Sequence, residues 1–125
     1  MTGYDANNIF AKILRGEIPC NKVYEDSHVL AFWDIHPQSQ THILIIPKGS
    51  YQSFADFSAK ASKEEMVAFF QAVGKIARDQ GLEEEGYRLI ANIGLNAHQE
   101  VPHFHFHLLG GEKLGPMLTA KGSRT

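Results

Sequence analysis

The sequence predicts an α+β domain with a largely antiparallel sheet and two helices. Three observations carry that expectation. Strand-like apolar runs outnumber helical stretches, they are interrupted by only two helices rather than alternating with them as a βαβ repeat would, and those two helices have clear start and stop residues. A chain of 125 residues, 43% hydrophobic and 21% charged, suits one domain spanning 1–125 with a core of its own.

The first element is a short helix. Asp5, Asn7 and Asn8 are good N-cap residues ahead of Ile9, Phe10, Ile13 and Leu14, which share a helical face, and Gly16 and Pro19 stop it. Val23 to Glu25 and Val29 to Trp33 flank the turn-forming Asp26-Ser27-His28, as two strands of a hairpin would. The β-branched run "THILIIP", ended by Pro47, suits a central strand buried on both faces. Residues 48–61 have no firm period and read as a loop with at most a short turn of helix. Ser62 and Glu65 then form a capping box, and Met66, Phe69, Phe70, Val73, Ile76 and Ala77 recur at helical spacing up to Gln80, before Gly81. Tyr87 to Asn92 reads as another strand, and "IGLNAHQEVP" as a loop. The terminal "TAKGSRT", about residues 119–125, is expected to fray.

In "VPHFHFHLLGG" three histidines alternate with aromatic residues, the period of a strand that Gly110 and Gly111 end. His103, His105 and His107 would face one side, while Phe104, Phe106 and Leu108 pack on the core. The pattern alone leaves three uses open. It can be the polar face of an exposed strand. It can supply a histidine pair to a metal, helped by His42 or His98, but not all three to one ion: His103 and His107 would stand about 13 Å apart at Cα, whereas ligands on Zn–N bonds of about 2 Å need nitrogens about 3.4 Å apart. Or it can do nucleophilic and acid–base chemistry on a phosphate ester or amidate, since an imidazole titrating near 6.5 offers both protonation states near neutrality. Asn92, Gly94, Asn96, Gln99 and Glu100 would then set donors beside the histidine face, Glu100 through its backbone N–H more than its carboxylate.

Composition narrows the partners. A formal charge of −2 with no Lys/Arg block gives no footprint for nucleic acid or an acidic membrane surface. No basic stretch followed by an apolar run opens the chain, and no stretch approaches the roughly 20 apolar residues of a membrane span, which favours the cytoplasm. Cys20 is the only cysteine, so an intramolecular disulfide and a Cys-rich zinc site are excluded, and it is expected to be a small core residue.

The run His103-Phe-His105-Phe-His107-Leu-Leu resembles the His-x-His-x-His-x-x motif of the histidine triad nucleotide-binding family. "NIFAKILRGEIPCNKVYED", "THILIIPK", "GYRLIANIG" and "QEVPHFHFHLLGG" are similar, in order and spacing, to its Hint branch. The resemblance implies a HIT-like fold, usually a homodimer through a continuous sheet, and a site for a purine nucleoside 5′-monophosphate of the AMP or GMP type, with no metal or other cofactor. It implies that His105 attacks the α-phosphorus to give a nucleotidyl-histidine that water hydrolyses. His103 would orient His105, and His107 would contact the phosphate and help protonate the leaving group. Asn92, Gln99 and Glu100 fall on the phosphate side, Asp34 at the ribose hydroxyls, and Ile9, Phe10, Ile13, Ile18, Phe32 and Ile35 around the purine. Periodicity alone would class Phe10, Ile13 and Phe32 as core and Asp34 as a turn residue. An apolar slot with a carboxylate at its mouth nevertheless suits a purine nucleoside, because two carboxylate oxygens can grip a vicinal diol.

Three positions depart from the branch: Ser50 aligns with a fourth histidine, His98 with a glycine of the phosphate loop, and Glu100 with a serine. The implied activity is that of a nucleoside phosphoramidase or nucleotidyl hydrolase. The alternatives are a nucleotide-binding regulatory protein with vestigial turnover and a dinucleoside polyphosphate hydrolase, which carries the same triad.

Overall fold

The computed structural model describes residues 3–118, so the terminal segment expected to fray lies outside the described residues. Helix α1 (Ile9–Leu14) leads into strands β1 (Lys22–Glu25), β2 (Val29–Trp33) and β3 (Thr41–Pro47). Helices α2 (Phe54–Lys60) and α3 (Lys63–Asp79) follow, then β4 (Tyr87–Ile90), a 3₁₀ turn at Leu95–Ala97, and β5 (Phe106–Gly110). The five strands pair antiparallel throughout in the order β1-β2-β3-β5-β4, so β3 is central, as its unbroken apolar run predicts.

Strand alternation divides two cores. Val29 and Ala31 of β2 and Ile43 and Ile45 of β3 face α3, joining Phe69, Val73, Ile76, Phe104 and Leu108. Leu30, Phe32, Leu44 and Ile46 point the other way, onto Phe10 of α1. The expected capping box of α3 is present, with Ser62 accepting from the Glu65 N–H and Glu65 from the Ser62 N–H. Phe70 departs from its expected place on the buried stripe: it is 53% exposed, at the flank beside Phe69 and Phe106.

The segment read as a loop holds α2, seven residues capped by Ser53, whose hydroxyl accepts from the Asp56 N–H. Its only buried residue is Phe57, stacked 5.0 Å from Phe104, and one ring leaves no period to detect. The ladder of β4 stops at Ile90 rather than Asn92, and that of β5 begins at Phe106 rather than His103. Pro102 has no N–H to donate, the His103 N–H turns back to the Val101 carbonyl at 2.8 Å, and the Phe104 N–H goes to the Tyr51 carbonyl at 2.7 Å. His103 and His105 therefore precede the ladder and only His107 lies within it. No helix among the described residues is long and apolar enough to cross a membrane.

Candidate active site

The α1 side of the sheet gathers the histidines. β3 and β5 pair with Leu44 opposite His107, which brings His42 diagonally alongside His107, and the two rings meet at 2.9 Å between His42 Nε2 and His107 Nδ1. Phe10 of α1 stands edge-on to His105 at 4.9 Å between centroids, and His105 lies 5.1 Å from His107. His103 and His42 are buried outright and His105 nearly so, so the polar face of an exposed strand, one of the three uses the pattern left open, does not describe this enclosed histidine face.

The hydrogen bonds assign every tautomer in this chain of rings. A carbonyl oxygen only accepts and a backbone N–H only donates, and a neutral imidazole has one N–H and one bare nitrogen. His105 Nδ1 lies 2.7 Å from the His103 carbonyl oxygen, so Nδ1 carries the proton and Nε2 is a bare lone pair. His103 Nε2 lies 2.8 Å from the Pro47 carbonyl oxygen, so it donates there, and its bare Nδ1 accepts from the Tyr4 hydroxyl at 2.6 Å. The Gln38 N–H donates to His42 Nδ1 at 3.0 Å, which places the His42 proton on Nε2. That proton is donated to His107 Nδ1, leaving His107 with its own proton on Nε2. Two neighbouring rings thus carry opposite chemistry: a lone pair on His105 and an N–H donor on His107.

Burial favours the neutral form of these rings. Desolvation disfavours the imidazolium, pushing His103 down to about 4 and lowering His105. Burial also takes His107 down to about 4, with the neighbouring His105 and His42 adding to it. His42 is lowered by burial against the opposing charge of Asp34. The sequence expectation of imidazoles titrating near 6.5 shifts accordingly: burial favours the neutral form of all four rings. An anionic phosphate would oppose this, since an opposite charge favours the imidazolium.

Asp34 closes one side. Its Oδ1 accepts from the His36 N–H at 2.8 Å, and its Oδ2 lies 3.4 Å from His42 Nε2. Asp34, His42 and His107 are also the one cluster among the described residues with geometry for a cation, their ligand atoms lying within 4.8 Å of one another. A proton shared at 2.9 Å between the two imidazoles accounts for their approach, and it is closer than the roughly 3.4 Å between ligands on a tetrahedral zinc. His98, the other histidine considered for a metal, is exposed on the loop, 3.7 Å from Glu100.

The remaining expected residues divide. Phe10 and Phe32 are buried and meet edge-on at 5.6 Å. Ile9 and Ile35 are exposed, Ile35 by 79%, as wall residues are and core residues are not. Ile13 and Ile18 line an open cleft of about 490 Å³ with Leu14, Cys20, Leu30 and Lys48. Cys20 is only half-buried there, and burial pushes its thiol up. Asn92 is half-buried beyond the end of β4. Gln99 braces its own loop: its amide donates to the Gln52 and Val101 carbonyls and its oxygen accepts from the Gly94 N–H. Glu100 is exposed, and its charge opposes the lowering of His105. His98 takes φ 57°, ψ 46°, the left-handed region, at the position where the resemblance has glycine. Sequence reasoning missed Tyr4 altogether and considered His42 only as a metal ligand; two histidine-bearing strands paired antiparallel are the signal that links His42 to His107.

A largely antiparallel sheet carrying three alternating histidines beside a carboxylate and an apolar wall defines the class. The HIT domain family model matches residues 15–114, and the chain belongs to that family. It is 58% identical over 116 residues to an uncharacterized 13.2 kDa HIT-like protein of Azospirillum brasilense, covering 93% of this chain and 95% of the relative. It is 49% identical over 114 residues to the purine nucleoside phosphoramidase of Escherichia coli, covering 91% and 95%. A crystal structure of a HIT family hydrolase from Legionella pneumophila superposes with a TM-score of 0.81 at 43% identity, covering 87% of this chain and 96% of that one.

Proposed function

We propose that the protein is a purine nucleoside phosphoramidase, releasing a nucleoside 5′-monophosphate through a covalent intermediate on His105. The observation that carries this reading is the pair of opposite tautomers: His105 presents a bare Nε2 because its Nδ1–H is held by a backbone carbonyl, and His107 presents Nε2–H because His42 occupies its Nδ1. A neutral imidazole with a free lone pair needs no general base to attack phosphorus.

In the first step His105 Nε2 forms a bond to the α-phosphorus while the phosphorus–nitrogen bond of the amidate breaks. The anionic phosphate draws one proton onto the His42–His107 pair, and the departing amine takes the proton from His107 Nε2, which leaves the pair neutral rather than one ring an imidazolate. In the second step a water oxygen bonds to phosphorus, the bond to His105 Nε2 breaks, and the water proton returns to His107 Nε2. Atoms and charges balance, and the protein ends as it began. Asp34 receives the ribose hydroxyls, with Ile9, Phe10, Ile13, Ile18, Phe32 and Ile35 around the base, and Asn92, Gln99 and Glu100 frame the phosphate. Gln99 acts by holding the loop, given its three backbone contacts. A second copy of the chain is proposed to pair along β4, the sheet edge, where Tyr87 and Leu89 are exposed.

Turnover of an adenosine phosphoramidate, followed as AMP and amine release, tests the assignment against His105→Ala. A loss of at least 10³-fold is expected from deleting a nucleophile. Wild-type binding of AMP without turnover would replace the reading with a nucleotide-binding regulatory module.

A further inference from the structure

His103 has no exposed surface, so it does not touch a substrate. Both of its nitrogens are nevertheless tied: Nε2–H to the Pro47 carbonyl at 2.8 Å, and Nδ1 to the Tyr4 hydroxyl at 2.6 Å. Tyr4 lies 99 residues away in sequence, and its ring sits edge-on to His103 at 5.6 Å. The segment that delivers it is braced. The Asp5 carboxylate accepts from the Asn7 N–H, the Asp5 carbonyl accepts from both the backbone and the side-chain amide of Asn8, and Arg15 donates to the Ala6 carbonyl. Asn8 in turn caps α1, whose Phe10 packs on the rings of His103 and His105.

We propose that Tyr4 is a positioning residue for the reaction on His105, an inference that rests on the function proposed above. The Tyr4 hydroxyl completes a two-ended clamp on the His103 ring. The clamped residue carries the carbonyl oxygen that holds His105 Nδ1–H at 2.7 Å and so aims the Nε2 lone pair. A buried donor or acceptor left without its partner is unfavourable, so a His103 ring without the hydroxyl gains by turning or by drawing in water. Either response moves the carbonyl on which the nucleophile depends. Tyr4 acts on placement of the attacking atom, not on nucleotide affinity.

The test compares wild type with Tyr4→Phe, which removes one oxygen and keeps the ring. Two readouts are taken on the full chain: histidine side-chain nitrogen-15 spectra, and the single-turnover rate of His105 adenylylation by an adenosine phosphoramidate. In wild type His103 Nδ1 is expected to resonate as a hydrogen-bonded acceptor. In Tyr4→Phe that resonance moves toward the unbonded position, by a smaller step where a water takes the place of the hydroxyl, adenylylation slows about tenfold, the scale of one lost hydrogen bond, and AMP affinity stays within about twofold. An unmoved resonance overturns the clamp, and an unchanged rate overturns the positioning role. A slowed rate matched by an equal loss of AMP affinity also overturns it. If Tyr4→Phe does not fold, 3-fluorotyrosine at position 4 keeps the hydroxyl and makes it more acidic; the Nδ1 resonance must then shift toward a stronger bond, and its constancy refutes the proposal. Wild-type protein that forms no adduct refutes the reaction itself, whereas an adduct formed equally fast in both proteins refutes only Tyr4.

Discussion

Lowering the pH from 7 to 5 should destabilise the fold by about 4 kcal/mol through two histidines alone. His103 and His107 each have a folded-state value of about 4 against an ordinary 6.5. Between those values the unfolded chain binds protons that the folded chain refuses, so stability falls as pH falls; the slope approaches about 1.4 kcal/mol per pH unit per group. Integrating from pH 7 to pH 5 gives about 2 kcal/mol for each. His42 and His105 are lowered as well and act in the same direction. The carboxylates do not blur this window. Glu25 at about 2, and Asp56 and Glu65, both below their ordinary values, give up their contribution only as pH falls beneath about 4.5. Urea unfolding at pH 7, 6 and 5 is the assay, and with a slope of about 2 kcal/mol per molar the midpoint should drop by about 2 M. A midpoint that stays constant or rises between pH 7 and 5 would refute the assignment of these rings as buried and neutral.

Other outcomes follow from the same geometry. His42→Leu removes the proton that fixes the His107 tautomer, and turnover should fall about 10- to 100-fold, within the range for a general acid left unoriented, with AMP affinity nearly kept; steady-state kinetics beside AMP calorimetry would check it. His98→Gly relieves a left-handed φ of 57° but frees the unfolded chain, so thermal unfolding should show a gain between zero and about 1 kcal/mol.

The architecture was legible where one local rule sufficed. The apolar run "THILIIP" marked the centre of the sheet and a strand buried on both faces, and Ser62 with Glu65 started α3. Helix α2 was not legible because it buries a single ring. The onset of β5 was misplaced because alternation continues through His103 and His105 although Pro102 and the turn at His103 delay the ladder. At the site, the family resemblance named His103, His105, His107 and Asp34, and the structure brings these side chains to one side of the sheet. The couplings that give each imidazole its tautomer were not legible. They depend on strand register for His42, on the Pro47 and His103 carbonyls, and on a hydroxyl 99 residues away, none of which leaves a mark in local sequence. Burial of the histidine face was hidden for the same reason: α1 and Phe10 cover it from a distant part of the chain.

The central claim is that His105 Nε2 becomes covalently bonded to phosphorus. Intact-protein mass spectrometry after rapid mixing with an adenosine phosphoramidate, with desalting at alkaline pH to preserve an acid-labile phosphorus–nitrogen bond, tests it directly. The account predicts an adenylyl adduct that maps to His105, forms and decays at rates compatible with AMP release, and is missing in His105→Ala. AMP release at full rate by folded His105→Ala, or an adduct mapped to another residue, would contradict it.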